Sequence, residues 1–437
     1  MKSGTASVAV GTIATNVLRI VSSMTLTRLL DAESYGVVGI VISVQVALAL
    51  LTDVALVGFI VRHPEAGERR FLDQIWTIRL LRGLGLTIAM ALVAEPIAHL
   101  LGKPELAMVL AIWGSVFLLE GLSSLAFATA IREQQLWRLT VLDVGANLAT
   151  FLIAMALVLF YRSYWAMVGG MIGGELCKLA MTYLLFPNTR RRFDYSRART
   201  QELWRFSRLI AASSMLSLLI LQFDKIVLAK LLSLSQFGLY AIAVSIGVAP
   251  GSLAGAYVSR VLYPAYAKTA AADDRDLLRQ VFYRTGRPFR LAYMFACGGL
   301  IGSASLIVAI LYDPRYAGVT MFLRLIAVNT VLAVSVWSSK EVLMSIGVTR
   351  PTLIGNFWRV AWLVIAAVVG AATGNIILLV AIVGTVDVVG LMSAWYALRA
   401  ERLLDLRQEA LGLLVAVAGG CVGYVIAFGA HLAFPSL

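Results

Sequence analysis

The chain has 437 residues, of which 60% are apolar and 14% charged, with 37 Lys and Arg against 24 Asp and Glu. A soluble protein of this length would need far more polar surface to cover its core, and the mean hydropathy of +0.86 excludes that class. The net charge of +13 therefore does not require a nucleic-acid partner; in membrane proteins Lys and Arg gather beside the cytoplasmic leaflet and its anionic lipid.

Apolar runs recur along the chain, each long enough to cross a hydrocarbon slab of roughly 30 Å as a helix. The expected spans are 6–30, 36–61, 83–101, 105–130, 140–160, 164–186, 209–232, 238–259, 291–311, 317–345, 351–374, 375–398 and 410–434, thirteen in all, or twelve or fourteen if segments merge or split. The first follows Lys2 and is dotted with polar groups, which reads as a retained span and not a cleaved signal peptide. Within it Thr12, Asn16, Arg19, Ser23 and Thr27 share one helical face, which lipid would not solvate. The second span holds Asp53 and the fourth Glu120, both deep acids. In the sixth, Glu175 and Lys178 are spaced to satisfy each other. In the seventh, Asp224 and Lys225 are adjacent, point about 100° apart and cannot pair. Pro250–Gly251 interrupts the eighth, where a lost backbone hydrogen bond predicts a kink or break and a hinge.

The run Asp273–Asp274–Arg275–Asp276 reads as acids at a helix start, which the dipole favours, in preference to a metal site. Arg324 lies in the tenth span, Lys340 and Glu341 near its cytoplasmic end, Arg359 in the eleventh and Asp387 in the twelfth. Gly419 and Gly423 permit close helix packing in the last. Cys177, Cys297 and Cys421 all fall in spans and form no disulfide or zinc pattern, and three scattered histidines suggest no metal site.

If Lys2 is cytoplasmic, 26 of the 37 basic residues fall in loops on its side and five in the opposite loops. That asymmetry predicts a cytoplasmic N-terminus. Residues 27–43, TRLLDAESYGVVGIVIS, repeat as 229–245, AKLLSLSQFGLYAIAVS, with Leu29, Leu30, Gly36, Ile40 and Ser43 matched by identical residues. Six spans separate the copies, so the halves share an orientation and should be related by a pseudo-two-fold along the membrane normal, with a cavity between them. The expected organisation is an N-terminal six-helix bundle (1–186), a basic cytoplasmic linker (187–208), a C-terminal six-helix bundle (209–398) and an additional, appended span (399–437).

The hairpin RLLDAESYG, the segment IREQQLWRLTVLDV at 131–144 and the stretch QFDKIVLAKLLSLSQFGLYAIA at 222–243 resemble the Wzx-type polysaccharide transporters of the multidrug/oligosaccharidyl-lipid/polysaccharide flippase superfamily. The resemblance implies an all-α polytopic fold in the bacterial cytoplasmic membrane, with no cofactor. It also implies transfer of a lipid-linked saccharide to the outer leaflet, with a polysaccharide polymerase and glycosyltransferases as partners and no nucleic acid. Under that reading Asn16, Arg19, Ser23, Lys225, Arg324 and Arg359 are candidates to hold a polyprenyl pyrophosphate. Asp53, Glu120 and Asp387 are candidates to couple transport to H+ or Na+, and Pro250–Gly251 is the candidate hinge. A polar seam between helices is the competing account of Arg19, and neutralisation by an unseen basic partner that of the acids. A cation-coupled multidrug exporter of the same superfamily is the alternative function. An integral polysaccharide polymerase is a weaker one, because the outer connections are too short for a catalytic domain.

Overall fold

The computed structural model describes residues 2–52, 55–133, 135–186, 191–272 and 274–433, and these contain helices and no strand. Nineteen α-helices run in order: α1 Lys2–Leu29, α2 Ala32–Leu51, α3 Leu56–Arg62, α4 Arg69–Leu101, α5 Leu106–Trp113, α6 Ser115–Leu122, α7 Ala126–Arg132, α8 Leu136–Phe160, α9 Tyr164–Leu184 and α10 Arg197–Leu231. They continue as α11 Leu234–Tyr257, α12 Tyr263–Ala270, α13 Arg275–Gly302, α14 Ala304–Leu311, α15 Val319–Ser345, α16 Arg350–Thr373, α17 Ile376–Gly384, α18 Val386–Ala400 and α19 Leu406–Ala433.

The described residues of each expected span fall on one helix or on two or three successive ones. Among the described residues, eight segments are long and apolar enough to cross a membrane individually, and two bent pairs raise the number to ten. The expected thirteen is not reached by that measure, because polar groups dilute α1, α9 and α10. Helix ends follow local chemistry. The Asp31 side chain accepts from the Ser34 N–H at 2.9 Å to start α2. Asp274 accepts from the N–H groups of Asp276 and Leu277 to start α13, so the described part of the acidic run is a helix cap. Gly102 and Gly374, at φ +71° and +62°, end α4 and α16.

The chain divides into two compact units, Met1–Phe237 and Gly238–Leu437. This division lies one helix beyond the expected start of the second bundle at 209: α10 packs along α2 in the first unit. A Cβ on Gly36 would overlap the Leu234 carbonyl, so the second copy of the repeated hairpin rests on the glycine of the first. The buried Lys103 ammonium donates to the Ala229 carbonyl at 2.7 Å, and Lys230 donates to the Leu100 carbonyl, fixing the end of α10.

The additional span expected in 399–437 forms α19, within the second unit. α19 lies along α13, where a Cβ on Gly298 would overlap the Ala416 carbonyl and one on Gly302 the Gly420 carbonyl. Gly419 and Gly423 meet the Phe295 and Gly299 carbonyls in the same way, the close approach that small residues permit. The seam continues through Arg279–Asp405 and Arg275–Glu401 ion pairs, at 3.5 and 3.3 Å. Deep within it, Arg290 and Glu409 pair at 3.2 Å with side chains only 5% and 2% exposed.

The helix does not break at Pro250–Gly251. α11 runs helically through both residues to Tyr257, and a π-helical turn at Val258–Leu262 follows. Pro264 follows directly, and its missing N–H leaves the Arg260 carbonyl without its usual i+4 donor, a mismatch that a single π turn accommodates. Gly251 instead makes room for the Trp337 indole, 3.1 Å from where its Cβ would lie.

Candidate functional site

In the first unit, the polar face of α1 stands apart from its apolar one. Val10, Ile13, Val17, Ile20 and Val21 are exposed and cluster on one side of the helix, as lipid contact requires. Arg19 is also exposed but lies on another face, with Asn16 and Ser23. Its guanidinium donates to the Asn16 side-chain oxygen at 3.0 Å. Thr27, at the end of the stripe, is buried and donates back to the Ser23 carbonyl at 2.8 Å. The candidates Asn16 and Arg19 are thus in direct contact, on a face of α1 separate from its exposed apolar one.

A second polar region forms where helices break. α2 ends at Leu51 and α3 begins at Leu56, while α6 and α7 are separated at Ser123–Leu125 and the α5–α7 segment bends by 49°. Broken ends leave carbonyls without helical partners, and two arginines one turn apart on α4 serve them. Arg82 donates to the Thr52 and Ala49 carbonyls at 2.9 and 3.1 Å. Arg79 donates to the Ser123 and Ser124 carbonyls, both at 3.3 Å, and lies over the Phe127 ring. Glu120 interacts electrostatically with both arginines and with Glu175 and Lys178, which pair with each other at 3.3 Å. The sequence flagged Glu120 but counted Arg79 and Arg82 as loop charges. Their one-turn spacing beside two helix interruptions is the signal that would have found them. Asp53 lies outside the described residues.

In the second unit the structure joins two candidates assigned to different roles. The Arg359 guanidinium donates to the Asp387 carboxylate, and the Asp387 backbone N–H donates to the Asn329 side-chain oxygen at 3.0 Å. Both side chains are nearly buried, at 13% and 10% exposed. Asp387 therefore has the basic partner that the sequence could not identify. Room for the guanidinium comes from Gly390, where a Cβ would lie against it. A cavity of about 530 Å³, including its open mouth, lies beside this pair and is lined by Trp337, Lys340, Asn356 and Ser393 as well as Arg359. Of the remaining candidates, Lys225 donates to the Leu221 carbonyl of its own helix at 2.6 Å, and Arg324 is exposed on α15. Neither is brought to another candidate by a described contact. Among the described residues no cluster of His, Cys, Asp and Glu could hold a metal ion.

At the start of α10 the sequence missed a saturated charge cluster. Arg199 donates to Glu202 at 2.6 Å, to Gln74 at 3.4 Å and to Glu65, and lies over the Phe71 ring. His63 stacks on Phe71 at 4.4 Å and bonds Glu202 at 3.0 Å. Burial alone would raise the Glu202 pKa, but its bonds to His63 and Arg199 outweigh that and hold it below the usual carboxylate range. Every acid in this cluster has a basic partner, which marks it as a clasp joining α10 to the loop after α3.

The architecture is a multi-span, all-α membrane fold. It is shared with the lipid II flippase MurJ in its inward closed conformation, with a TM-score of 0.72 at 12% identity over 98% of this chain and 100% of that one. An inward-facing multidrug resistance MATE family transporter of the MOP superfamily superimposes with a TM-score of 0.66 at 15% identity, over 91% of this chain and 95% of that one.

Residues 25–321 match the polysaccharide biosynthesis protein family, and the chain belongs to it. It is 24% identical over 436 residues to the succinoglycan biosynthesis transport protein ExoT of Rhizobium meliloti (strain 1021), covering 95% of this chain and 84% of ExoT. It is 23% identical over 327 residues to the lipopolysaccharide biosynthesis protein WzxC of Escherichia coli (strain K12), covering 73% of this chain and 65% of WzxC. These relatives bear out the Wzx-type resemblance carried by the repeated hairpin and the 131–144 segment.

Proposed function

We propose that the protein is a flippase that moves a polyprenyl-pyrophosphate-linked oligosaccharide from the cytoplasmic to the outer leaflet of a bacterial cytoplasmic membrane, for polysaccharide export. The observation that carries this reading is the Arg19–Asn16 pair on a face of α1 that is distinct from its exposed apolar one. An exposed guanidinium in a membrane helix must meet water or an anion, and its fork of donors matches the oxygens of a pyrophosphate. Membership of a polysaccharide biosynthesis family supports a saccharide cargo. Export of cationic drugs, the alternative within the same fold, is disfavoured by a cation at this position.

Translocation makes and breaks no covalent bond, so the reading assigns no catalytic residue and no cofactor. Coupling to H+ or Na+ falls to Glu120 among the described acids, since Asp387 is committed to Arg359. Glycosyltransferases would supply the lipid-linked unit and a polymerase would consume it. A strain lacking the protein should still assemble that unit, which accumulates in the cytoplasmic leaflet while surface polymer falls. Arrival of the unit at the outer leaflet at an unchanged rate, with no redundant flippase, would refute the reading.

The charge asymmetry of the loops supports a cytoplasmic N-terminus. Single cysteines at Ser196 and Thr269, in a chain lacking Cys177, Cys297 and Cys421, should resist an impermeant thiol reagent in intact cells. Labelling of both from outside reverses the orientation.

A further inference from the structure

The 131–144 segment carries part of the family resemblance, and the transport reading gives it no role. In the first unit it forms one wall of a cavity of about 2080 Å³, including its open mouth, together with the start of α4, the end of α9 and the segment after it. Its charged lining is Arg69, Arg138 and Arg191 against a single carboxylate, Glu133. That carboxylate is occupied, accepting from the Gln135 side chain at 2.7 Å.

The three arginines are under-used. Arg138 lies over the Phe186 and Trp137 rings at 5.8 and 5.5 Å, and no carboxylate among the described residues pairs with it. Arg191 is the informative one. Its side chain is only 8% exposed, yet its nearest acid, Asp73, stands at 4.0 Å, beyond hydrogen-bond reach. Arg191 Nε and Asp73 Oδ1 both lack a hydrogen-bond partner. Burial pushes the Arg191 pKa down, Asp73 opposes this and Arg69 adds to it, so an anion entering the cavity would relieve both the desolvation and the repulsion. The Arg199 cluster on the same unit is the internal contrast: there each guanidinium edge meets an acceptor, and no demand for a ligand is left.

We propose that this cavity is the docking site that the pyrophosphate of the lipid-linked saccharide occupies before it reaches Arg19, at the cytoplasmic end of the first unit, with Arg69, Arg138 and Arg191 as its ligands. This rests on the flippase reading for the identity of the cargo, whereas the site itself rests on the arginines. Three guanidinium groups around one cavity suit a multiply charged phosphoryl anion better than a neutral sugar. Small residues such as Gly67 and Ala130 in the lining leave space for the group to enter.

The test measures binding of farnesyl pyrophosphate, a short polyprenyl pyrophosphate, to the purified full-length Arg19→Ala protein in detergent, so that the cavity is read without the Arg19 contact. Arg138→Gln and Arg69→Gln should each raise its Kd at least tenfold, with thermal unfolding unchanged. Arg70→Gln removes the same charge from the neighbouring position, outside the cavity lining, and should leave the Kd unaltered. An unchanged Kd in both cavity variants, or an equal loss in Arg70→Gln, overturns the proposal. So does stabilisation by phosphatidylglycerol that depends on Arg69 and Arg138 while farnesyl pyrophosphate gives none, because the site then holds a bilayer lipid. Binding is read without transport, so a failed export reading would leave this result standing, and the reverse.

Discussion

Replacing Glu409 by alanine is expected to destabilise the protein by about 3–5 kcal/mol, the cost of stranding one member of a buried ion pair. Arg290 is 5% exposed, and its Nε and Nη2 already lack hydrogen-bond partners, so Glu409 is its one acceptor among the described residues. The Tyr283 and Phe282 rings, at 4.9 and 5.9 Å, stabilise the guanidinium only in part. The pair sits on the seam where α19 lies along α13, so its loss should release the last helix and lower the amount of protein in the membrane. Arg290→Met combined with Glu409→Leu should recover most of that stability, because a matched apolar pair has no charge to desolvate. Thermal unfolding of the purified variants measures both effects. A Glu409→Ala protein that unfolds at the wild-type temperature would show that α19 does not depend on the pair.

Arg19→Ala should have the opposite signature, with normal abundance and failed export. Arg19 is exposed, and among the described residues its one hydrogen-bond partner is Asn16 on its own helix, so its removal costs little packing. Loss of a desolvated, charge-assisted contact to a pyrophosphate should cost on the order of 2 kcal/mol or more, enough to weaken substrate capture by more than tenfold. Arg19→Lys should keep part of the activity, since the charge survives and the fork does not. Membrane abundance measured beside surface polymer separates a substrate role from a packing one. Full export by a normally expressed Arg19→Met variant would falsify the substrate role.

What could be read in advance was what local spacing encodes. The one-face stripe on α1, the Glu175–Lys178 pair, the Asp274 cap and the packing glycines Gly419 and Gly423 are all consequences of helical periodicity or end chemistry. What was missed depends on which distant residues meet. Arg290 and Glu409 are 119 positions apart, and Arg359 and Asp387 28 apart, and no periodicity links them. Arg79 and Arg82 were unreadable for a different reason. Their partners are backbone carbonyls exposed by breaks in other helices, which a side-chain pattern does not display. The π turn at Val258–Leu262 was not anticipated, because the carbonyl that Pro264 leaves unpaired, that of Arg260, belongs to the backbone and not to a side-chain pattern.

The central claim is tested most directly by translocation in vesicles made with the purified protein and a lipid-linked oligosaccharide placed in both leaflets. A lectin or glycosidase added outside reports the fraction it can reach. The account predicts that this fraction rises beyond the outer-leaflet share when the protein is present, and that Arg19→Ala abolishes the rise. An accessible fraction identical to that of protein-free vesicles, from wild-type protein that is folded and inserted, would contradict it.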